Sequence, residues 1–530
     1  MTPQDILRRA DRLKADRGTF EAHWQEVADR LMPSREFTAS TSPGQKRLTK
    51  IFNTVPVHAA ELMAASLHGM LTSPSLRWFA LRPMGQGEDA PEDVDAWLEG
   101  ATDRMYQTFT SPLAGFATSI HEVFRDVVAF GTGILFMPDR GRRGAGFQAV
   151  PLADSFIAEN AEGKVDTLFR RRKLPLREAC ALWPKTAPRQ WTEKVDQEPD
   201  RLVEIVHATY PRPDGERGPP VATCYVAPDG MALLEEGGFE EFPFAVARWS
   251  KRSGEVYGNG PGMDALPDVK LLNRVEEENL RGIQQVVRPA LLLPDDGFLG
   301  PVSTAPGSIN YYRSGDVGEN TRIGPLVTGA QPDIGMDYIT MLQDRIERLF
   351  YVPLWRTPTK ANMTATEVMQ HRDDMMRSMG PAVARLQEEA LGPIIERSFA
   401  ILARNGLVAD PPHGLSEYRV EYLSPLALAQ RASDADATMR WLNGVAALAQ
   451  VDQSVLDTLD AQAASRFLAD RYGAPSKVVR SAEEAAQRAA DRQAQQADLA
   501  GVEAAQGVAR AAKDGAGALA AIQGMGGPQQ

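Results

Sequence analysis

Asp264-Ala-Leu-Pro-Asp-Val-Lys-Leu-Leu-Asn-Arg-Val-Glu-Glu-Glu-Asn-Leu-Arg-Gly-Ile-Gln-Gln-Val-Val-Arg-Pro289 is the stretch on which the fold turns. Val269, Leu272, Val275, Ile283 and Val286 recur at helical spacing and form one face, interrupted by Asn279. Asp268, Lys270, Arg274, Glu277, Glu278 and Arg281 occupy the other. Roughly 25 residues at ~1.5 Å each make a rod of about 37 Å, which Pro289 ends or kinks. A second amphipathic helix is predicted from about Asp333 to Phe350, with Ile339, Leu342, Ile346 and Leu349 inward. Residues 294–332 between them are rich in Gly, Pro, Asp and Ser, with β-prone pieces such as Ile309–Arg313. The pattern is a rod that goes out, turns in a small cap and comes back, packed through those two apolar faces.

Working upstream, Gly258-Asn-Gly-Pro-Gly262 reads as a flexible hinge entering the first rod. Gly131 to about Phe244 is a small mixed α+β region with antiparallel strands. Its β-prone runs are Ile134–Met137, Val165–Arg170, Val203–Ala208 and Ala222–Ala227, between Gly, Pro and Asp turns. Helices are predicted over 4–32, Val55–Leu71, 91–110 and 112–130, with a polar arm from Ser34 to Lys50. Downstream, Tyr351–Met363 carries two prolines and no apolar period, so it reads as a loop. Thr364-Ala-Thr-Glu367 has the form of a capping box. It opens a helix towards Ala403, interrupted at Gly380-Pro381 and Gly392-Pro393 and stopped at Gly406. One strand is predicted over 417–423, then helices through Tyr472. From Ser481 the chain is Ala, Gln, Gly and charge, either a thin helix needing partners or disordered. The class is α+β, mainly α-helical.

Composition narrows the function. The 530 residues are 43% hydrophobic and 24% charged, an ordinary globular balance. Cys180 and Cys224 are the only cysteines, so no disulfide framework is implied and a reducing, cytosolic assembly site fits. Charges interrupt the N-terminus at once, and the most apolar run, Val127–Met137, is too short for a bilayer; no signal peptide and no membrane insertion are expected. A net charge of −12 argues against tight, static DNA binding over a large surface. It is compatible with a surface along which a duplex slides.

Chemical motifs are sought and not found. Gly163-Lys164 is followed by Val and lacks the upstream glycine of a Walker loop, which argues against an ATP-driven motor. Gly258-x-Gly-x-Gly262 has the wrong spacing for a nucleotide fingerprint. His371-Arg372-Asp373 lacks the downstream asparagine of a kinase loop, and His121-Glu122 lacks the second histidine of a zinc helix. Arg170-Arg-Arg-Lys173 reads as a solvated strand edge or an intersubunit salt-bridge surface, with nucleic-acid contact as the alternative. Arg356 and Lys360, taken alone, are ordinary loop charges. No cofactor and no metal site is called for, and an enzyme has no residue to stand on.

Several stretches resemble the portal, or head-to-tail connector, family of short-tailed double-stranded-DNA bacteriophages. They are Arg47-Leu-Thr-Lys-Ile-Phe-Asn53, Tyr257-Gly-Asn-Gly-Pro-Gly262, Leu271-Leu-Asn-Arg-Val-Glu276, Thr364-Ala-Thr-Glu-Val368, Leu391-Gly-Pro-Ile-Ile-Glu-Arg397 and Tyr422-Leu-Ser-Pro-Leu-Ala427. Their order and the helix–cap–helix–loop–kinked-helix pattern carry the likeness up to about residue 485. The resemblance implies a ring, typically of twelve subunits, around a DNA channel at one capsid vertex. It implies a wing (1–262), stem helices (263–289 and 333–350), a clip (290–332) and a tunnel loop (351–363). A kinked helix and crown (364–480) and a C-terminal barrel helix or disordered tail (481–530) complete the fold. By position, Arg356, Thr357, Thr359, Lys360 and Asn362 would face the channel. Implied partners are further copies of the chain, duplex DNA, the terminase, tail adaptor or nozzle proteins, and major capsid and scaffolding proteins. The implied place is the virion, after assembly in the host cytoplasm. Two other readings are a packaging enzyme, disfavoured by the missing Walker loop and metal cluster, and an internal core or scaffold protein. The mixed Gly131–Phe244 region disfavours the latter.

Overall fold

The N-terminal apolar pattern, predicted as one helix, folds as two: α1 (Pro3–Asp16) and α2 (Gly18–Leu31). The break falls at Arg17, whose wholly buried guanidinium donates to the carbonyls of Leu152 (2.7 Å), Ala153 (2.7 Å) and Ser155 (2.5 Å). Gly18, a weak helix former, lets the chain turn there. The computed structural model describes residues 1–33, 35, 37, 51–84, 92–213, 215–287, 291–292, 324–325, 332–355, 377–412, 417–423, 425–449, 452, 454, 459–471, 487–488 and 491–492.

Next come α3 (Val55–Leu71), β1 (Phe79–Pro83), α4 (Glu92–Thr110) and α5 (Phe116–Phe130). Residues 112–115, predicted helical, are a turn before α5. Val127–Phe130 are all buried, so α5 is enclosed at its C-terminal end, while Thr118 and Glu122 face solvent nearer its start. The mixed region follows: β2 (Thr132–Phe136), β3 (Gln148–Val150), β4 (Ser155–Glu159), β5 (Val165–Pro175), α6 (Leu176–Leu182), α7 (Arg189–Lys194), β6 (Leu202–Pro211), β7 (Val221–Ala227), β8 (Ala232–Phe239) and β9 (Phe244–Arg248). Two antiparallel sheets result, ordered β3-β2-β9 and β4-β5-β6-β7-β8. Within the basic run Arg170–Lys173 only Arg170 lies between β4 and β6, buried opposite Ser155 and His207. Arg171–Lys173 run past the end of the β4 pairing, with β6 on one side only; Arg171 pairs with Asp11 and Glu204, and Lys173 is exposed. His207, buried in the same row, is pushed down to about 3 by desolvation, so it is a neutral hydrogen-bonding ring beside Thr223.

The remaining elements are α8 (Pro261–Val287), β10 (Leu291–Leu292), β11 (Gly324–Pro325), α9 (Pro332–Leu349), α10 (Val352–Trp355), helical residues 377–386, a π-turn (Gln387–Leu391), α11 (Gly392–Arg404), β12 (Tyr418–Tyr422), α12 (Pro425–Ala449) and α13 (Ala461–Arg471). The predicted break at Gly380-Pro381 is absent. Pro381 faces solvent, where carbonyls can tilt outward to water. At Gly392-Pro393 the helix widens instead of breaking, with the Gly392 N–H reaching back to the Gln387 carbonyl. Widening moves the carbonyl that a proline ring would otherwise strike. β12 pairs antiparallel with β1, a strand that sequence reading left unassigned. Ile309–Arg313, Thr364–Glu367, His371–Asp373 and nearly all of the tail from Ser481 lie outside the described residues.

The chain forms two compact units, Met1–Met84 with Glu92–Leu426, and Gly85–Pro91 with Ala427–Gln530. In the first, one large core joins α2, α3, α5, β2, β9, α8, α9 and α11. Smaller cores lie where α1 covers the five-stranded sheet and where α6 and α7 cover its other side. In the second, Met439, Trp441 and Leu448 of α12 are exposed.

The predicted flexible hinge before α8 is a backbone-on-backbone contact. Gly131, at φ +76°, lies directly against Gly258 and Gly260. A Cβ on Gly258 would sit 2.2 Å from the Gly131 carbonyl oxygen; one on Gly260 would sit 2.6 Å from that of Val127. The Gly258 N–H donates to Thr132 Oγ1 (2.8 Å) and Asn259 Nδ2 to Asp264 Oδ1 (2.7 Å), so the root of α8 is fixed. Gly260→Ala is expected to destabilise the chain by about 3 kcal/mol, since backbone must move to admit the methyl. Gly69→Ala, on exposed α3 surface with nothing within 4 Å, should be neutral or stabilising by up to ~1 kcal/mol. Paired urea-unfolding midpoints check both.

Candidate functional site

α8 and α9 lie side by side and antiparallel. Near the root, Arg345 Nε of α9 meets Asp268 Oδ2 of α8 at 3.0 Å. Further out, Gly335 at the start of α9 faces Asn279, so closely that a Cβ there would meet its Oδ1 at 2.6 Å. Beyond both helices, β10 and β11 pair antiparallel and join the ends of the rods.

The sequence-predicted packing residues divide along this pair. Val269, Leu272, Ile339, Leu342 and Ile346 are buried, and Val275 and Leu349 are half-buried against the same core. Ile283 is exposed in the single chain, as are its distal neighbours Leu280, Val286 and Val287. On α9, Ile334, Met336 and Met341 are also exposed, with Val287 reaching 71% and Ile334 65%. An isolated pair of helices can cover each rod on one side only, whereas the apolar side chains here spread over more than one side. The distal half of the rod is thus an apolar surface with no neighbour among the described residues.

The root of α8 also carries a polar anchor that sequence reading missed. Asn273, buried within the apolar face, donates from Nδ2 to the Val269 carbonyl (2.9 Å). Its Oδ1 accepts from the N–H groups of Phe52 (2.7 Å) and Asn53 (3.2 Å). Two of the stretches singled out in the sequence, 47–53 and 271–276, therefore meet through one amide. The available signal was an asparagine next to Leu272 in an otherwise apolar stripe. Lys270 pairs with Glu26 of α2 at 2.9 Å, and that hydrogen bond holds the Glu26 carboxyl below its usual range.

The candidate channel residues Arg356, Thr357, Thr359, Lys360 and Asn362 lie outside the described residues. The start of their predicted loop is not loop. Tyr351 turns the chain at φ +55°, and α10 follows with Val352 and Leu354 buried against α3. Three apolar side chains, Phe350, Val352 and Leu354, hold this corner down. Pro353 falls in the first turn of α10, where a proline is tolerated, and prevents α9 from running on. Among the described residues no group of three or more His, Cys, Asp or Glu is placed to hold a metal ion. No helix there is long and apolar enough to cross a membrane.

Asn273→Ala should cost about 1–3 kcal/mol, because two backbone donors lose their acceptor. Glu278→Ala on the exposed face should change stability by no more than ~0.5 kcal/mol. Thermal and urea unfolding of both variants measures the difference.

Comparison with known proteins is consistent along the chain. Residues 3–479 match the family described as bacteriophage head to tail connecting protein. The probable portal protein of Bordetella phage BPP-1 is 28% identical over 513 residues, covering 89% of this chain and 88% of that protein. The portal protein of Salmonella phage epsilon15 is 26% identical over 535 residues, covering 95% of this chain and 94% of that protein. The matched span takes in the α8–α9 rods, both sheets and the helices that enclose them, and on that ground the chain belongs to the bacteriophage head to tail connecting protein family.

Proposed function

We propose that this chain is a portal subunit: a non-enzymatic conduit through which a phage genome is loaded, retained and released at one capsid vertex. Copies of the chain, twelve in the expected assembly, surround duplex DNA. The terminase docks on this ring first and tail proteins afterwards, with capsid and scaffolding proteins around it. In this reading 263–289 and 333–350 are the stem, 290–332 the clip and 351–363 the channel loop. Residues 1–262 form the wing, 364–480 the kinked helix and crown, and 481–530 the C-terminal tail.

The observation that carries the proposal is the apolar surface left on the distal half of α8 and α9. Each such side chain, about half exposed, gains roughly 1 kcal/mol when covered. A neighbouring copy of the same rod supplies the cover, and that copy leaves its own far side to be covered in turn. Such a contact is head-to-tail, and it closes into a ring when the rotation between copies divides a full circle. The relatives named as portal proteins support the same reading over nearly the whole chain.

Two tests follow. Val287→Asp, at a largely exposed position, should leave the fold intact and abolish the high-mass assembly of the purified protein in sedimentation velocity. Assembly as in the unaltered chain would remove the stem from the interface. Neutralising Arg356 and Lys360 together should lower the DNase-protected DNA held per particle, and unchanged retention would end their assignment to the channel.

A further inference from the structure

We propose that Arg248 is a positioning residue that fixes how helical residues 377–386 are set against the core, acting through Glu389 of the π-turn. The inference rests on reading 364–480 as the kinked helix and crown, and it goes beyond that reading by naming what sets the helix at its kink.

Arg248 is the last residue of β9 and only 1% exposed. Its fork spends all five N–H donors. Nε and Nη2 grip Glu389 in a bidentate pair at 2.7 and 2.8 Å. Nη1 donates to the Val256 carbonyl (2.9 Å) and to Glu159, and Nη2 also reaches the Gly163 carbonyl (3.1 Å). Lys251 shares Glu159, and Arg385, one turn before Glu389, donates to the same carboxylate at 2.9 Å. A second tie holds the widened turn from another side: Tyr422 Oη of β12 donates to the Gln387 carbonyl at 3.0 Å.

This network grips helical residues 377–386, which run directly into the π-turn. The Tyr351 corner is held independently, by its buried neighbours Phe350 and Val352. Burial of Met379, Val383 and Leu386 would hold the helix in the core without any ion pair. A buried ion pair adds little stability over apolar packing of the same shape, but it does specify one arrangement. What Arg248 contributes is the phase and height at which residues 377–391 sit.

Positioning is separated from plain stabilisation by a control pair of the same kind. Arg35 grips buried Asp126 in a bidentate contact at 3.1 and 3.2 Å, far in sequence from the π-turn. The experiment compares Glu389→Gln, Tyr422→Phe and Asp126→Asn in the full-length assembled protein by hydrogen exchange read peptide by peptide. Glu389→Gln should raise exchange across 377–391 by about tenfold or more, with α5 unchanged. Tyr422→Phe, which removes one hydroxyl, should raise it over the same residues by a few-fold. Asp126→Asn should loosen α5 and residues 33–37 and leave 377–391 as they were. If Glu389→Gln fails to assemble, Glu389→Asp, which keeps the charge but shortens the reach to Arg248, carries the test in its place. Equal loosening of 377–391 by Asp126→Asn, or no local change in either π-turn variant, overturns the proposal. Sedimentation of the Val287→Asp variant reports on the portal reading separately, so either can fail without the other.

Discussion

The direction in which α8 leaves the core is set by a contact between two pieces of backbone. Gly131 and the Gly258–Gly260 turn approach so closely that no side chain fits between them. Because α5 ends at Gly131 and α8 begins just past Gly260, the most enclosed helix of the fold and its long rod share one fixed joint. Asn273 and the Asp268–Arg345 pair then brace the first turns, and the rod extends from a base that cannot swivel. The proposed ring of identical rods would need this, since a few degrees of play at each root would spoil the closure of the circle.

The energetics of the rod change along its length. Near the root, Val269, Leu272, Leu342 and Ile346 are covered by the chain's own core. Further out, apolar side chains are exposed, and no other described part of the subunit lies over them. Evolution ordinarily removes such surfaces from monomeric proteins because they promote association. Retained on two antiparallel helices, they are what the proposed assembly of identical copies would cover.

Much of this was legible in the sequence. Val55–Leu71, α8 and α9 follow from apolar spacing and proline stops, because long periodic helices are specified by their own residues. Less visible were features that depend on distant partners. β1 is five residues long and pairs with Tyr418–Tyr422, so no local pattern announces it. The split at Arg17 exists because three carbonyls from residues 152–155 converge on its guanidinium. Arg170 reads as part of a surface run until Phe136 is seen to lie under its guanidinium. At the candidate site the buried half of the rod could be read directly, whereas the Asn273 anchor and the Arg248 fork could not. Both are polar groups inside apolar surroundings, and only their partners explain them.

Imaging the purified full-length protein in negative stain tests the central claim most directly. The account predicts annular particles with a central hole, built of a closed number of 57.9-kDa subunits. Discrete particles without a hole, or a homogeneous monomer at micromolar concentration, would contradict it.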